Sequence, residues 1–125
     1  MPARVVDASV LAAIAFQEPR ADEAQTLLRD AELYAPTLLA YELAHVAQKK
    51  CQEYPAQRVA LERALEAALA LDIRWREVDH VAVLRLSLET GLATYDAAYL
   101  YLARVLGAPL ATFDASLARA SQGSG

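Results

Sequence analysis

The sequence contains a single cysteine, Cys51, which can form neither an internal disulfide nor a zinc cluster of the finger type. A lone thiol is typical of a reducing compartment, so we expect a cytoplasmic protein. Long apolar runs are missing too, because the stretch VLAAIAF after Asp7 is far too short to span a bilayer. Asp7 also interrupts the run too early for a signal peptide. We therefore expect no membrane association.

Glycine and proline are few, with 4 and 5 residues among 125, whereas hydrophobic residues make up 56% of the chain. This composition argues against disorder and indicates a packed fold rich in helix. The length suits one domain but not two independent cores. We assign residues 1–120 to that domain and residues 121–125, SQGSG, to a flexible C-terminal tail.

Short β-branched segments alternate with helical patterns along the chain. Strands are predicted at 3–6, 32–36, 73–78 and 109–113, and helices at 9–16, 21–30, 37–50, 55–72, 80–90, 94–106 and 114–120. Gly91 and Gly107 are placed to end two of the helices as left-handed caps. The alternation predicts an α/β fold with helices on both faces of a parallel sheet, in which the carboxyl ends of the strands share one edge.

Four carboxylates each interrupt an otherwise apolar stretch. These four acids are Asp7 in VVDAS, Glu42 in AYELA, Asp96 in TYDAAY and Asp114 in ATFDASL. An ionised carboxylate that leaves water without a partner is costly, so four of them beside core-forming sequence imply a shared positive partner. A divalent metal ion meets this need. An all-carboxylate site favours hard ions such as Mg²⁺ or Mn²⁺ over zinc.

Two of the four acids, Asp7 and Asp114, fall at the carboxyl ends of the first and last predicted strands. Open α/β sheets place their ligands at this edge. Each aspartate can equally be interpreted as the N-cap of the helix that follows it. The sequence leaves both roles open.

Glu42 and Asp96 are more informative, because each lies on an apolar helix face. Glu42 shares its face with Leu39 and Leu43, and Asp96 shares its face with Tyr99. The competing interpretations are a core-edge glutamate paired with arginine and an aspartate stabilised by the helix dipole. Four acids that point toward one edge make a stronger case for a site than any one of them.

The other polar candidates carry less information. We interpret His45 as a surface or core-edge histidine, and we expect His80 to cap a helix rather than to bind metal. The net charge is −4, from 12 basic and 16 acidic residues, but setting the four acids aside leaves the chain balanced, so RNA is not excluded as a ligand. Four basic residues are candidates for holding RNA by charge alone: Arg20, Lys49, Lys50 and Arg85.

Several of these segments resemble PIN-domain proteins and, within that group, the VapC toxins of bacterial and archaeal toxin–antitoxin pairs. The resemblance covers nearly the whole chain through VVDASVLAAIAF, APTLLAYELAHVA and, most specifically, GLATYDAAYLYLARVLGAPLATFDASLARA. It implies a three-layer α/β/α domain with a short parallel sheet of four to five strands. It also implies an endoribonuclease that acts on tRNA, rRNA or mRNA and uses Mg²⁺ or Mn²⁺.

Residue by residue, the resemblance makes the four acids the catalytic and metal-binding residues. Ser9 and Thr112 stand where the family has small hydroxyl residues that steady those acids. The implied partners are an RNA substrate, a small cognate antitoxin and a second copy of the chain. The helix YDAAYLYLARVL is apolar nearly all round, which fits either contact with a second copy or burial as the central helix of a monomer. Many relatives carry Asn shortly after the glutamate, where this chain has His45.

Other α/β folds with acidic pockets fit the sequence less well. A response-regulator receiver domain needs adjacent acids after its first strand and a lysine after its last. A phosphatase of the haloacid-dehalogenase type needs two aspartates in a DxD pattern, where this chain has Asp7, Ala8 and Ser9. The remaining alternative is a PIN-fold module that binds RNA or protein without cutting. Four retained, costly carboxylates argue against it.

Overall fold

A computed structural model describes residues 1–123 as one α/β domain built on a four-stranded parallel sheet. The strands are β1 (Ala3–Val6), β2 (Glu32–Pro36), β3 (Ile73–Arg76) and β4 (Leu110–Ala111). Their order in the sheet is β3-β2-β1-β4, so the first strand lies inside the sheet next to the last. Val5 of β1 pairs with Tyr34 of β2 and with Leu110 of β4. The predicted fold class is confirmed.

Seven helices and one 3₁₀ turn connect the strands in the described part of the chain. The helices are α1 (Ala8–Ala15), α2 (Ala21–Leu28), α3 (Leu38–Glu53), α4 (Arg58–Leu69), α5 (His80–Thr90), α6 (Thr94–Leu106) and α7 (Ala115–Gly123). The segment Pro55–Gln57, predicted as the first turn of a long helix, forms the 3₁₀ turn that precedes α4. Among these residues, no helix is long and apolar enough to cross a membrane.

The helices form two groups that cover the sheet. Helices α1 to α4 contact one another, and α6 packs against α5, α7 and strands β1 and β2. The fully buried core side chains include Val5, Val6, Leu39 and Leu43. Helix α6 buries Tyr99 and Leu100 against this core, as its apolar pattern predicts. These parts make the three-layer arrangement expected from the sequence.

Three helix ends show how local sequence fixes the framework. Gly91 and Gly107 end α5 and α6 with φ values of 77° and 61°, the left-handed conformation predicted for both. At the start of α5 the expected cap, His80, is wrong. Asp79 is the N-cap, and its carboxylate accepts hydrogen bonds from the backbone amides of Val81 and Ala82. An aspartate just before a helix competes better for these amides than a histidine inside it.

The C-terminal region differs from the prediction at two points. Strand β4 has only two residues rather than the predicted five, because the amides of Phe113 and Asp114 turn away to bond side-chain hydroxyls of Ser9 and Thr112. Helix α7 continues to Gly123. Residues 121–123, which the sequence assigned to a flexible tail, are therefore helical, and the last two residues of that predicted tail lie outside the described residues.

Candidate active site

Asp7 is the most buried of the four acids, with 5% of its surface exposed. It follows β1 directly and is the N-cap of α1, where its Oδ1 accepts hydrogen bonds from the Val10 amide at 3.2 Å and the Ser9 hydroxyl at 2.7 Å. The hydroxyl of Thr112 donates to the other oxygen, Oδ2. Burial raises the pKa of Asp7 above its usual value, and these hydrogen bonds offset part of the rise.

The two hydroxyls that hold Asp7 also hold the end of the last strand. Ser9 Oγ accepts a hydrogen bond from the amide of Phe113 at 2.9 Å, and Thr112 Oγ1 accepts one from the amide of Asp114 at 3.0 Å. Asp114 in turn caps α7, since its Oδ1 accepts from the Leu117 amide at 2.8 Å. Each hydroxyl therefore ties the loop after β1 to the loop after β4. The capping role that the sequence left open is present at both strand-end aspartates.

Glu42 lies half-buried on α3 and receives a hydrogen bond from a residue that the sequence interpretation missed. The hydroxyl of Tyr99, on α6, donates to Glu42 Oε1. Burial raises the pKa of Glu42, repulsion from Asp96 and Asp7 raises it further, and the Tyr99 hydrogen bond lowers it. Burial and this bond also raise the pKa of Tyr99 far above its ordinary value, so its proton stays in place. A buried tyrosine hydroxyl needs a partner, and this requirement was the available signal.

Asp96 lies in the first turn of α6 and completes an electrostatically linked group. Burial raises its pKa, and repulsion from Asp114 and then from Asp7 raises it further. Asp7, Asp96 and Asp114 are thus close enough to a neighbouring acid to disfavour the charge of Glu42 or of Asp96. Within residues 1–123, none of them forms an ion pair with a lysine, arginine or histidine. No basic side chain of the described residues therefore offsets the charge of these acids.

The donor chemistry of this group fits a hard divalent cation, because every available side-chain ligand is a carboxylate oxygen. A cation would also relieve the repulsion that, after burial, raises the pKa values of Glu42 and Asp96. Within residues 1–123, however, no three Asp, Glu, His or Cys side chains are arranged closely enough to hold a metal ion. The metal-binding role of the four acids therefore stays a prediction.

Two of the four basic residues considered for RNA contact already have partners. Arg20 pairs with Glu23 at 2.7 Å and lies over the ring of Phe113, 3.7 Å from its centroid. Lys50 pairs with Glu18 at 2.9 Å. The two other candidates are exposed, Lys49 near the end of α3 and Arg85 on α5. Arg20 is the one that stands next to the acidic edge, through its contact with the residue before Asp114.

A layered α/β domain with a parallel sheet and an acidic group at the carboxyl edge belongs to the class of open α/β proteins that bind their ligands at the carboxyl ends of the strands. The comparisons narrow this class. The chain matches the PIN domain model over residues 4–122, and it therefore belongs to the PIN-domain family. It is 35% identical to Ribonuclease VapC3 of Pyrobaculum aerophilum, over 91% of each chain.

A solved structure agrees with this assignment. The crystal structure of PAE2754 from Pyrobaculum aerophilum superposes with a TM-score of 0.79 at 29% identity, and the match covers 98% of this chain and 81% of that one. The resemblance to VapC-like PIN proteins, stated from the sequence motifs, is confirmed.

Proposed function

We propose that this protein is a metal-dependent endoribonuclease that hydrolyses RNA phosphodiester bonds, and that it is the toxin of a toxin–antitoxin pair. The observation that carries the proposal is the group of four acids, in which Glu42 and Asp96 are repelled by their acidic neighbours and no acid has a cationic partner among residues 1–123. A group of this kind stores negative charge that a bound cation would neutralise. The similarity to Ribonuclease VapC3 supports the choice of RNA as the substrate.

In this proposal the four acids hold Mg²⁺ or Mn²⁺. When bound, the ion would acidify a water for attack on phosphorus and neutralise charge on the phosphate oxygens. Ser9 and Thr112 keep both oxygens of Asp7 oriented, and Tyr99 orients Oε1 of Glu42. Without the cation, the carboxylates repel both one another and the phosphates of RNA.

The proposed partners follow from the same resemblance. A VapC-like toxin implies a small antitoxin protein that binds and silences it. The lone, partly buried Cys51 is compatible with the reducing cytoplasm, where we place the protein. The antitoxin and the cytoplasmic location can both be tested by isolating the protein from fractions of its source cell and identifying the proteins that copurify with it.

A homodimer is part of the proposal. Helix α6 packs on the sheet and on α5, so its apolar pattern is mostly used within the chain. Helix α5 instead carries three exposed apolar side chains at helical spacing, namely Val81, Leu84 and Leu88. Such a row is costly in water and suits contact with an identical helix of a second copy.

The proposed activity is tested with labelled total RNA incubated with Mg²⁺, with Mn²⁺ and with a chelator. We expect cleavage with either metal and none with the chelator. Asp7→Asn and Asp96→Asn should each reduce the rate at least about 100-fold, because even residues that only orient metal ligands cost 10- to 100-fold when removed. Asp72→Asn is the matched control, since Asp72 is an exposed aspartate outside the acidic group.

Two outcomes would contradict the proposal. Equal cleavage in every tube would exclude a metal-dependent nuclease. Failure of the wild-type protein to cut any RNA, together with recovery of an RNA-independent protein partner, would favour the alternative of a PIN-fold module that binds RNA or protein without cutting. The absence of a ready three-ligand set in residues 1–123 keeps that alternative worth testing.

A further inference from the structure

A cavity of about 480 Å³ opens beside Glu42, within the size range of small-ligand pockets. Its lining residues come from the start of α1, the first turns of α3 and the start of α6: Ala8, Leu38, Tyr41, Glu42, His45, Val46 and Tyr95. The floor is aliphatic, the rim carries two phenol rings and an imidazole, and Glu42 is its one carboxylate. This cavity, which we call the tyrosine pocket, shares Glu42 with the acidic group, but none of the other three acids lines it.

The two tyrosines of the pocket are unusually exposed. Tyr41 has 78% of its surface accessible and Tyr95 has 62%. Each stands immediately before a site acid in the sequence, Tyr41 before Glu42 and Tyr95 before Asp96. Neighbouring residues on a helix point about 100° apart, so each ring lies to the side of its acid rather than in line with it. Both rings line the same cavity as Glu42, so they stand beside the acidic group.

We propose that the tyrosine pocket binds one unpaired nucleobase of the RNA substrate, next to the phosphate that is cut. The inference rests on the proposed nuclease function and adds a substrate-positioning site to it. Tyr41 and Tyr95 supply aromatic faces on which a base stacks, and His45 supplies a nitrogen that can hydrogen-bond to the edge of the base.

The chemistry of the lining favours a base over a peptide. A nucleobase is flat and apolar on its faces and polar at its edges, which matches aromatic rings over an aliphatic floor with one polar edge. A base is also connected through a single sugar to the phosphate that the adjoining acids are proposed to process. The pocket thus lies within reach of a nucleotide already held at the site. Recognition through a stacked, unpaired base would restrict cutting to single-stranded RNA segments.

The test uses a single-stranded oligoribonucleotide that the wild-type protein cuts with Mg²⁺. Tyr41→Leu and Tyr95→Leu should each raise KM by about tenfold, the size expected when a stacking ring is lost, while kcat changes less. Tyr41→Phe and Tyr95→Phe keep the ring and should retain KM near the wild-type value. Tyr54→Leu is the matched control, because Tyr54 is also exposed, at 48%, but lies outside the pocket.

A second measurement changes the RNA as well as the protein. The wild-type protein should bind oligonucleotides with one abasic position beside the cut more weakly, by a similar factor, and Tyr95→Leu should add little to that loss because both changes remove the same contact. If the wild type cuts RNA but the leucine variants and the abasic substrates behave like their controls, base binding in the pocket is excluded while the nuclease function stands. A protein segment would then be the remaining occupant of the pocket. If the wild type cuts no RNA, the proposed function fails with it.

Discussion

Thr112 and Asp7 lie 105 residues apart in the sequence and are joined by a hydrogen bond from the threonine hydroxyl to Oδ2 of the buried carboxylate. The same hydroxyl accepts the amide of Asp114 at 3.0 Å. One side chain thus fixes the loop after β4 relative to the end of β1. Two of the four acids owe their relative position to this bond.

Replacing Thr112 with valine keeps the shape of the side chain but removes both hydrogen bonds. Leaving a buried carboxylate oxygen and an amide without this partner should lower the free energy of unfolding by about 1–3 kcal/mol. Activity on RNA should fall by about 10- to 100-fold, because Asp7 loses its orientation. Urea denaturation and initial cleavage rates measure the two effects.

Thr26→Val is the matched control for that prediction. Thr26 also donates a hydroxyl hydrogen bond, to the carbonyl of Asp22, but it is exposed on α2 and, within residues 1–123, forms no hydrogen bond with the four acids. Its loss should change stability by less than about 0.5 kcal/mol. If Thr112→Val were as stable and as active as Thr26→Val, the hydrogen bond from Thr112 to Asp7 would contribute to neither stability nor activity.

Tyr99→Phe removes the hydroxyl that orients Glu42. Tyr99 is buried and its hydrogen bond reaches a half-exposed carboxylate, so we expect a stability loss of about 1 kcal/mol and a fall in activity of about 10- to 100-fold. Tyr101→Phe, on the same helix, is the control, since no hydrogen bond to the Tyr101 hydroxyl is found within residues 1–123. Equal activity of the two variants would show that Glu42 does not need the Tyr99 hydroxyl.

Tyr99 also shows where sequence interpretation reached its limit. The helical faces of Glu42 and Asp96 could be recognised from spacing, because an amphipathic helix repeats over a few residues. Tyr99 and Glu42 are 57 residues apart in the sequence, and their contact depends on how α3 packs relative to α6 at the edge of the sheet. A local sequence pattern cannot predict the relative packing of two distant helices. The strands were predictable for the opposite reason, since β-branched runs between turn residues are local signals.

The strand-end aspartates illustrate a second limit. Sequence position predicted that Asp7 and Asp114 follow β1 and β4, but it left capping and ligand binding as alternatives. In the structure each caps a helix through Oδ1, and Asp7 additionally takes a hydroxyl on Oδ2. A carboxylate has enough lone pairs for both roles. Helix capping therefore does not exclude ligand binding by the same aspartate.

The metal-free protein should become less stable as the pH rises. Asp7, Glu42 and Asp96 have folded-state pKa values raised, chiefly by burial, above the ordinary 3.8 for aspartate and 4.5 for glutamate. The folded state then binds more protons than the unfolded state from about pH 4 upward, so the free energy of unfolding falls as these groups ionise. Thermal denaturation in chelator between pH 4 and 8 should show this trend.

Asp7→Asn isolates the contribution of one group to that trend. The amide keeps the size of the side chain and an oxygen for capping but carries no charge, so the variant should lose less stability than the wild type over the same pH range. Other carboxylates cancel in the comparison, including Glu23 and Glu32, whose pKa values are lowered. Parallel stability curves for the two proteins would contradict a raised pKa at Asp7.

Mg²⁺ should raise the melting temperature at neutral pH. An ion that binds only the folded state stabilises it by about 2.7 kcal/mol at a concentration 100 times its Kd. Asp96→Asn should reduce the shift, and a potassium salt at matched ionic strength corrects for general screening. If Mg²⁺ and the potassium salt gave equal shifts, the four acids would not share an ion.

The proposed homodimer is tested at Leu88, which has 77% of its surface exposed on α5. Leu88→Glu places a charge in the apolar row formed with Val81 and Leu84. Burying two such charges across a symmetric contact is unfavourable, so the mass measured by light scattering should fall from that of a dimer to that of a monomer. Val59→Glu is the control, because Val59 is 62% exposed on α4, outside the row, and should leave the dimer intact. A wild-type protein that is monomeric at all concentrations, or a Leu88→Glu variant that stays dimeric, would exclude this face as the contact between copies.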